Sequence, residues 1–329
     1  MFERYENSPI YPIKNTRGNG NGIYVKREDL LPFSLGGNKV RIAREFFRDM
    51  EEKNCDTMVV YGNTRSNLCR VIANQCYIQN IPCYMISSRE EHEKEREETG
   101  NSRLMELLGA KIIPCTKAEI ASAVEETMKA IEKTGRKPYY IYGNKWGTGN
   151  EATATAAYVK AYREIQDFEE EHALSFDYIF HASGTGATQS GLICGHILAG
   201  DSTKIIGISV SSREYERGVS VIRTGVESYL KGRKISRNFD TDQEIFLECK
   251  YNKGGYGIYD EEILDCIRRQ FRKNSLPLDP VYTGKAFLGM EKYLEEQEIT
   301  GKNILFLHTG GTPLFYDCLY AGKLKQEGI

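Results

Sequence analysis

No apolar run in this 329-residue sequence approaches the roughly 20 residues that a membrane helix needs. No two cysteines are spaced Cys-x-x-Cys, and His92, His172, His181, His196 and His308 form no metal-ligand spacing with them, so no metal site is expected. An excess of either charge is also missing. The 44 basic and 46 acidic residues leave a net charge of -2, which gives no electrostatic case for nucleic acid. The N-terminus, Met1-Phe2-Glu3-Arg4-Tyr5-Glu6, has neither the basic start nor the apolar stretch of a signal peptide. With nine scattered cysteines, an odd count, the expectation is reduced thiols in a cytoplasm.

What is present is an alternation of short apolar runs with longer amphipathic ones. Gly22–Lys26, Thr57–Tyr61, Pro82–Ser87, Lys111–Pro114, Tyr139–Tyr142, Asp177–His181, Ile205–Val210 and Ile304–His308 read as strands. Ala118–Lys133, Ala152–Glu171 and Thr188–Ala199 read as helices, and the charged stretch Arg89–Glu98 as a solvated loop or helix face. Strands alternating with helices of this length predict parallel βαβ units and an α/β fold. The length suits two lobes. Without repeats or linkers their boundaries are soft, placed at a large domain of residues 1–44 with 151–329 and a small one of 45–150.

Lys39 is the first candidate for chemistry. It ends the turn Ser34-Leu35-Gly36-Gly37-Asn38 and precedes the apolar spacing Val40, Ile42, Ala43, Phe46, Phe47, which puts it at or near a helix start. A lysine held near backbone dipole ends and walled by apolar groups loses its proton more readily, and a neutral amine is what Schiff-base chemistry requires. A solvated lysine at a helix entry is the plain alternative.

Between a strand and a helix lies Ala182-Ser183-Gly184-Thr185-Gly186-Ala187-Thr188-Gln189-Ser190-Gly191. Amides freed by glycines, threonine hydroxyls and a helix N-terminus suit a phosphate dianion, although a plain glycine-rich turn reads the same way. The dinucleotide fingerprint fails at its third glycine, and no Gly-Lys-Thr/Ser is present, so a single terminal phosphate fits best. Three further turns stand out: Gly254-Gly255-Tyr256-Gly257, Leu278-Asp279-Pro280-Val281-Tyr282-Thr283-Gly284-Lys285, and His308-Thr309-Gly310-Gly311. Taken alone, either tyrosine suits core packing better than a site. A Schiff-base lysine combined with a lone-phosphate cup suggests pyridoxal 5'-phosphate, whose aldehyde and phosphate need those two groups.

With these motifs in order, the chain resembles the fold-type II pyridoxal-phosphate enzymes of the tryptophan synthase β-subunit superfamily. Within it, the chain is similar to the D-cysteine desulfhydrase and 1-aminocyclopropane-1-carboxylate deaminase family. The likeness runs from about Lys26 to Phe315. Lys26-Arg27-Glu28-Asp29-Leu30 with Gly36-Gly37-Asn38-Lys39 matches the family's cofactor-lysine segment, and Arg65-Ser66-Asn67 falls where the family has Gln-Ser-Asn.

The resemblance implies a two-lobed fold with mostly parallel twisted sheets flanked by helices and the cofactor between the lobes. It also implies roles for single residues. Lys39 would carry the cofactor as a Schiff base, Ser66 would act on the substrate or its carboxylate, and Asn67 would bind the ring's phenolic oxygen. Gly184, Thr185, Gly186, Ala187 and Thr188 would hold the phosphate. Tyr256 and Tyr282 would be the active-site tyrosines, and Thr283 and Thr309 would bind the cofactor, Thr309 near the pyridine nitrogen. A homodimer is expected on the same ground.

Deaminases of this family resemble Val-Tyr-Glu-Gly at the second tyrosine and desulfhydrases Val-Tyr-Thr-Gly; this chain has Val281-Tyr282-Thr283-Gly284. A carboxylate beside the pyridine nitrogen would hold it protonated, whereas a hydroxyl leaves it largely neutral. A weaker electron sink suits β-elimination, so the expectation is a lyase of the D-cysteine desulfhydrase type acting on a small, plausibly D-, amino acid. The alternatives are an aminocyclopropane-carboxylate deaminase, a β-replacement synthase and, from another class, an NADP-dependent oxidoreductase with Arg213 on a 2'-phosphate. Two departures stand out: Arg65 replaces glutamine, and Leu68 replaces a residue that is usually histidine. Arg65 either offers substrate a fixed cation, which suits an acidic side chain, or points away from it.

Overall fold

A computed structural model describes residues 7–88, 98–233 and 240–325. The charged stretch read as a solvated loop or helix face lies, but for Glu98, outside them. The chain divides into two compact units, Met1–Asn38 with Thr155–Ile329, and Lys39–Ala154. The sequence placed these divisions at residues 44/45 and 150/151.

In chain order the first unit begins with strands β1 (Ile10–Ile13) and β2 (Gly22–Arg27). The second unit holds α1 (Asn38–Glu52), β3 (Thr57–Gly62), α2 (Asn67–Gln79), β4 (Cys83–Ser88), α3 (Gly100–Leu107), β5 (Lys111–Cys115), α4 (Ile120–Glu132) and β6 (Pro138–Tyr140). The chain returns to the first unit through α5 (Glu151–His172), β7 (Tyr178–Ser183), α6 (Ala187–Ala199), β8 (Lys204–Ser209), α7 (Tyr215–Gly232) and β9 (Phe246–Glu248). It ends with α8 (Glu261–Asn274), α9 (Thr283–Glu296), β10 (Asn303–His308) and α10 (Thr312–Tyr320).

The first unit's sheet has the order β1-β2-β10-β7-β8-β9, parallel except where β1 runs antiparallel to β2. Its central strands are buried on both faces and therefore read as continuous apolar runs, as in Ile304-Leu305-Phe306-Leu307. Phe180, Ile206, Ile208, Phe287, Leu288 and Phe306 belong to one core beneath that sheet. Helix α6 meets α5 closely because Gly191 and Gly195, one turn apart, carry no Cβ; added there, one would overlap Tyr158 and Tyr162.

The second unit's sheet is all parallel, in the order β5-β4-β3-β6. Ser66 caps α2 by accepting the Cys69 amide at 3.2 Å, and Thr99 with Ser102 forms a reciprocal cap on α3. The predicted strand at Tyr139–Tyr142 is shorter and earlier, Pro138–Tyr140, because the chain turns at Ile141-Tyr142, where the Gly143 amide donates to the Tyr140 carbonyl at 2.9 Å. Strands β1 and β9, of four and three residues, carry too little pattern to be read without the neighbours they pair with.

Candidate active site

Parallel strands deliver their loops to one edge, where ligands of open α/β sheets collect. In the first unit, β2, β10, β7 and β9 are followed at that edge by the turns singled out from sequence. The order β2-β10-β7 sets the lysine segment and the Gly184 loop on either side of the Thr309 turn, two strand spacings of about 4.8 Å apart.

The lysine segment is anchored by buried charge. The Lys26 ammonium meets Glu164 at 2.7 Å; Glu28 accepts the Ser8 hydroxyl at 2.6 Å and the Tyr158 hydroxyl at 2.9 Å. Arg27 grips Asp29 through two nitrogens at 2.8 and 2.6 Å and also bonds the Tyr11 hydroxyl. On this base Ser34, Leu35, Gly36 and Gly37 all take left-handed backbone angles, with φ of 45°, 59°, 66° and 102°. Gly36 is obligatory, since a Cβ would overlap the Asp29 carbonyl. The Gly37 amide then donates to the Glu28 carbonyl at 2.7 Å, and the Asn38 amide to the Thr309 carbonyl at 3.0 Å. The Asn38 side chain donates to the Thr188 hydroxyl at 3.0 Å, so the residue joined to Lys39 touches the Gly184 loop directly. Lys39 is half-buried in the first turn of α1, and desolvation pulls its pKa down to about 8. A measurable fraction is therefore the neutral amine near neutral pH.

The Gly184 loop enters α6 through Gly186, at φ 83°, and no side chain caps that helix start. Its first amides are thus offered to an anion. Thr185 is exposed, Ala187 half-buried and Thr188 buried. Arg213 donates to the Gly184 carbonyl at 2.9 Å and so braces the loop from its own backbone.

Tyr256 and Tyr282, both half-buried, bond each other through their hydroxyls, with ring centroids 5.7 Å apart. Thr283 is different: its hydroxyl donates to Asp279 at 2.8 Å, accepts the Asp279 amide at 2.7 Å and has no exposed surface. Asp279, equally sealed, also accepts the amides of Val281, Tyr282 and Thr283 at 2.9, 2.8 and 3.1 Å. Burial pushes its carboxyl above the usual range, against those donors. Thr309 is buried to 6% exposed, whereas Thr283 has no exposed surface. His308 lies 3.4 Å from Asp29, and desolvation lowers its pKa, which leaves the ring neutral.

In the second unit Arg65, Ser66 and Asn67 open α2. Asn101 donates to the Asn67 side-chain oxygen at 2.9 Å and to the Arg65 carbonyl at 3.1 Å, and Thr99 donates to the Thr64 carbonyl at 2.6 Å. Helix α3 thus holds the Thr64–Asn67 turn in place. Leu68 is buried, filling the position with an apolar side chain.

The sequence missed Asn38 as a side-chain bridge, Asp279 as the hub of its turn, and Asn101. Asp279 had a signal in Asp-Pro-x-x-Thr, a side-chain cap opening a helix. Asn101, 34 positions from Asn67, had none.

Comparison with known proteins decides the family. Residues 1–310 match the family model described as pyridoxal-phosphate dependent enzyme. The chain belongs to this family. Among its relatives is a 1-aminocyclopropane-1-carboxylate deaminase of Burkholderia multivorans, 30% identical over an alignment of 332 positions, gaps included, that covers 95% of each chain. A putative 1-aminocyclopropane-1-carboxylate deaminase of Pyrococcus abyssi is 29% identical, covering 93% of this chain and 89% of that one. Among solved structures, one described as an ACC deaminase homologue superposes with a TM-score of 0.84 at 28% identity, covering 97% of this chain and 93% of the other. A cysteine synthase from Entamoeba histolytica shares the fold, with a TM-score of 0.67 at 17% identity over 100% of this chain and 91% of that one.

This pyridoxal-phosphate enzyme thus has the α/β fold of type II expected from its sequence. Its family replaces the NADP reading, and Arg213 is spent on the Gly184 carbonyl. In the first unit the uncapped start of α6 fits the cofactor's phosphate, and in the second the lowered pKa of Lys39 fits its aldehyde. When bound, pyridoxal phosphate supplies an electron sink that loosens bonds at a substrate's α-carbon.

Proposed function

We propose that this enzyme removes a β-substituent and ammonia from a small amino acid, leaving a 2-oxo acid. For a cysteine-like substrate, cysteine and water would become pyruvate, ammonia and hydrogen sulfide. In this reading Lys39 holds the cofactor and, once displaced by substrate, moves the proton at the α-carbon. Thr185, Gly186, Ala187 and Thr188, with Gly184, hold the phosphate. Ser66 and Asn67 position the substrate carboxylate and the ring, and Tyr282 with Tyr256 handles a proton or orients the leaving group.

The observation that carries elimination is the locking of Asp279 and Thr283 onto each other. The carboxylate of this turn has its acceptor sites filled by four donors, and Thr283 has spent its only proton. Neither is exposed, and in this reading the hydroxyl that meets the ring edge is that of Thr309. A hydroxyl there keeps the ring the weaker sink that suits loss of a β-leaving group.

The second reading is ring opening of 1-aminocyclopropane-1-carboxylate, and the names of the relatives favour it over D-cysteine. One assay separates the two: purified holoenzyme is given each compound, and pyruvate with sulfide is measured against 2-oxobutyrate. A kcat/KM for D-cysteine at least tenfold the higher is expected; the reverse ratio would replace elimination by ring opening. L-cysteine and acidic D-amino acids belong in the same screen, the latter because of Arg65.

A further inference from the structure

Lys285 is a second buried lysine in the first unit, and the chemistry assigned above does not use it. It lies three residues after Tyr282, at the first turn of α9. Its ammonium donates to the Asn252 carbonyl at 2.9 Å, to the Val210 carbonyl at 3.5 Å and, by a short bond, to the Gly255 carbonyl. Three protons thus meet three carbonyls. Two of those carbonyls belong to the turn that carries Tyr256, the residue after Gly255, and the third is that of Val210, the residue after strand β8. Tyr256 in turn bonds Tyr282 through the paired hydroxyls. The contacts close a ring: Tyr282, helix α9, Lys285, the Gly255 carbonyl, Tyr256, and back to Tyr282.

We propose that Lys285 is a positioning residue for the tyrosine pair, its ammonium fixing the 252–255 turn against α9 so that the two phenols meet. This deepens the function proposed above, since it takes Tyr256 and Tyr282 to serve that reaction. With its protons spent on carbonyls, the lysine is a clamp rather than a second nucleophile. An apolar replacement would orphan three buried carbonyls and let the turn drift, and a displacement of about 1 Å at such a site costs roughly 100-fold in rate. Desolvation pulls the Lys285 pKa down to about 8, opposed by Asp279 and Asp260, so the clamp carries its full charge only below that pH.

The test uses holoenzyme. Lys285→Met should exchange backbone amides faster in the 249–258 segment and lose kcat by about 100-fold with little change in KM. In a cycle with Tyr256→Phe the two losses should not add, because each removes the same arrangement. Lys285→Ala should recover part of its kcat with ethylammonium. Unchanged exchange with kcat within about twofold of the parent, or fully additive losses, would overturn the assignment. If the Lys285 variants fail to fold, the parent holoenzyme supplies the test, since protection of the 249–258 amides should fall as pH rises through about 8 and the lysine gives up a proton to solvent. Protection that stays level across that pH range would then count against the clamp. Wild-type kcat in Tyr256→Phe alone would instead sink the tyrosine reading, while the exchange effect of Lys285 would stand.

Discussion

The side-chain amide of Asn38 donates to the Thr188 hydroxyl at 3.0 Å. Through it the residue preceding the candidate Schiff-base lysine is tied to the loop offered to the cofactor's phosphate. The bond should hold the two anchoring points of one ligand at a fixed spacing. Asn38→Ala and Thr188→Val should each weaken pyridoxal-phosphate binding by about 1 kcal/mol, roughly fivefold in Kd. Titration of apoenzyme with cofactor measures this, and unchanged affinity in both variants would show the bond to be incidental.

Lys39 should be the residue that borohydride links to the cofactor. Reduction of holoenzyme is expected to add cofactor mass to the peptide holding Lys39, and Lys39→Ala should lose both that adduct and the visible absorption. In apoenzyme the lowered pKa gives a second readout. Between about 8 and 10.5 the unfolded chain binds more protons at this site than the folded one, so stability rises with pH across that window. Lys39→Met should therefore melt higher than the parent apoenzyme at pH 7, by an amount that shrinks towards pH 10.5.

His196 sits between Asp201, at 2.6 Å, and Glu244, at 3.2 Å. Desolvation works to lower its pKa, but the two carboxylates outweigh it and hold the imidazole above its ordinary value. With the folded-state pKa raised, the stabilisation is complete below about pH 6.5 and is lost as pH climbs through the higher value. The melting temperature of the parent should exceed that of His196→Gln by more at pH 6 than at pH 9. An equal gap at both would show that the ion pairs contribute nothing.

Thr283→Val should read out as a stability defect. Its hydroxyl serves Asp279 on both sides in a sealed position, so removal leaves a buried carboxylate and a buried amide each one partner short. A loss of about 1–3 kcal/mol in chemical unfolding is expected, with the cofactor's absorption maximum unmoved. A shifted absorption band at parental stability would place the hydroxyl against the ring instead.

Gly311→Ala should destabilise the same corner. Gly311 has φ 98°, and a Cβ there would overlap the Asp279 carboxylate. Strain plus a displaced carboxylate should cost about 2 kcal/mol or more. A melting temperature equal to the parent's would mean that Asp279 moves freely.

The sequence by itself determined the architecture class and the cofactor of the family. Buried parallel strands must be continuously apolar, and a turn with four consecutive left-handed residues must spend glycines, so Ile304–His308 and Gly36-Gly37-Asn38-Lys39 are written in local composition. Strand ends were legible to within a residue or two for the same reason, as at Lys111–Cys115. Tertiary structure alone decided which hydroxyls and carboxylates are spent. Thr283 reads as an open hydroxyl beside a tyrosine, yet its proton goes to Asp279; Lys285 reads as a turn lysine, yet it draws in carbonyls 30 and 75 positions away. Hydrogen-bond partners that far apart in the chain are chosen by packing, because a buried polar group must find whichever counterpart the fold brings within 3 Å, and no local pattern records that choice.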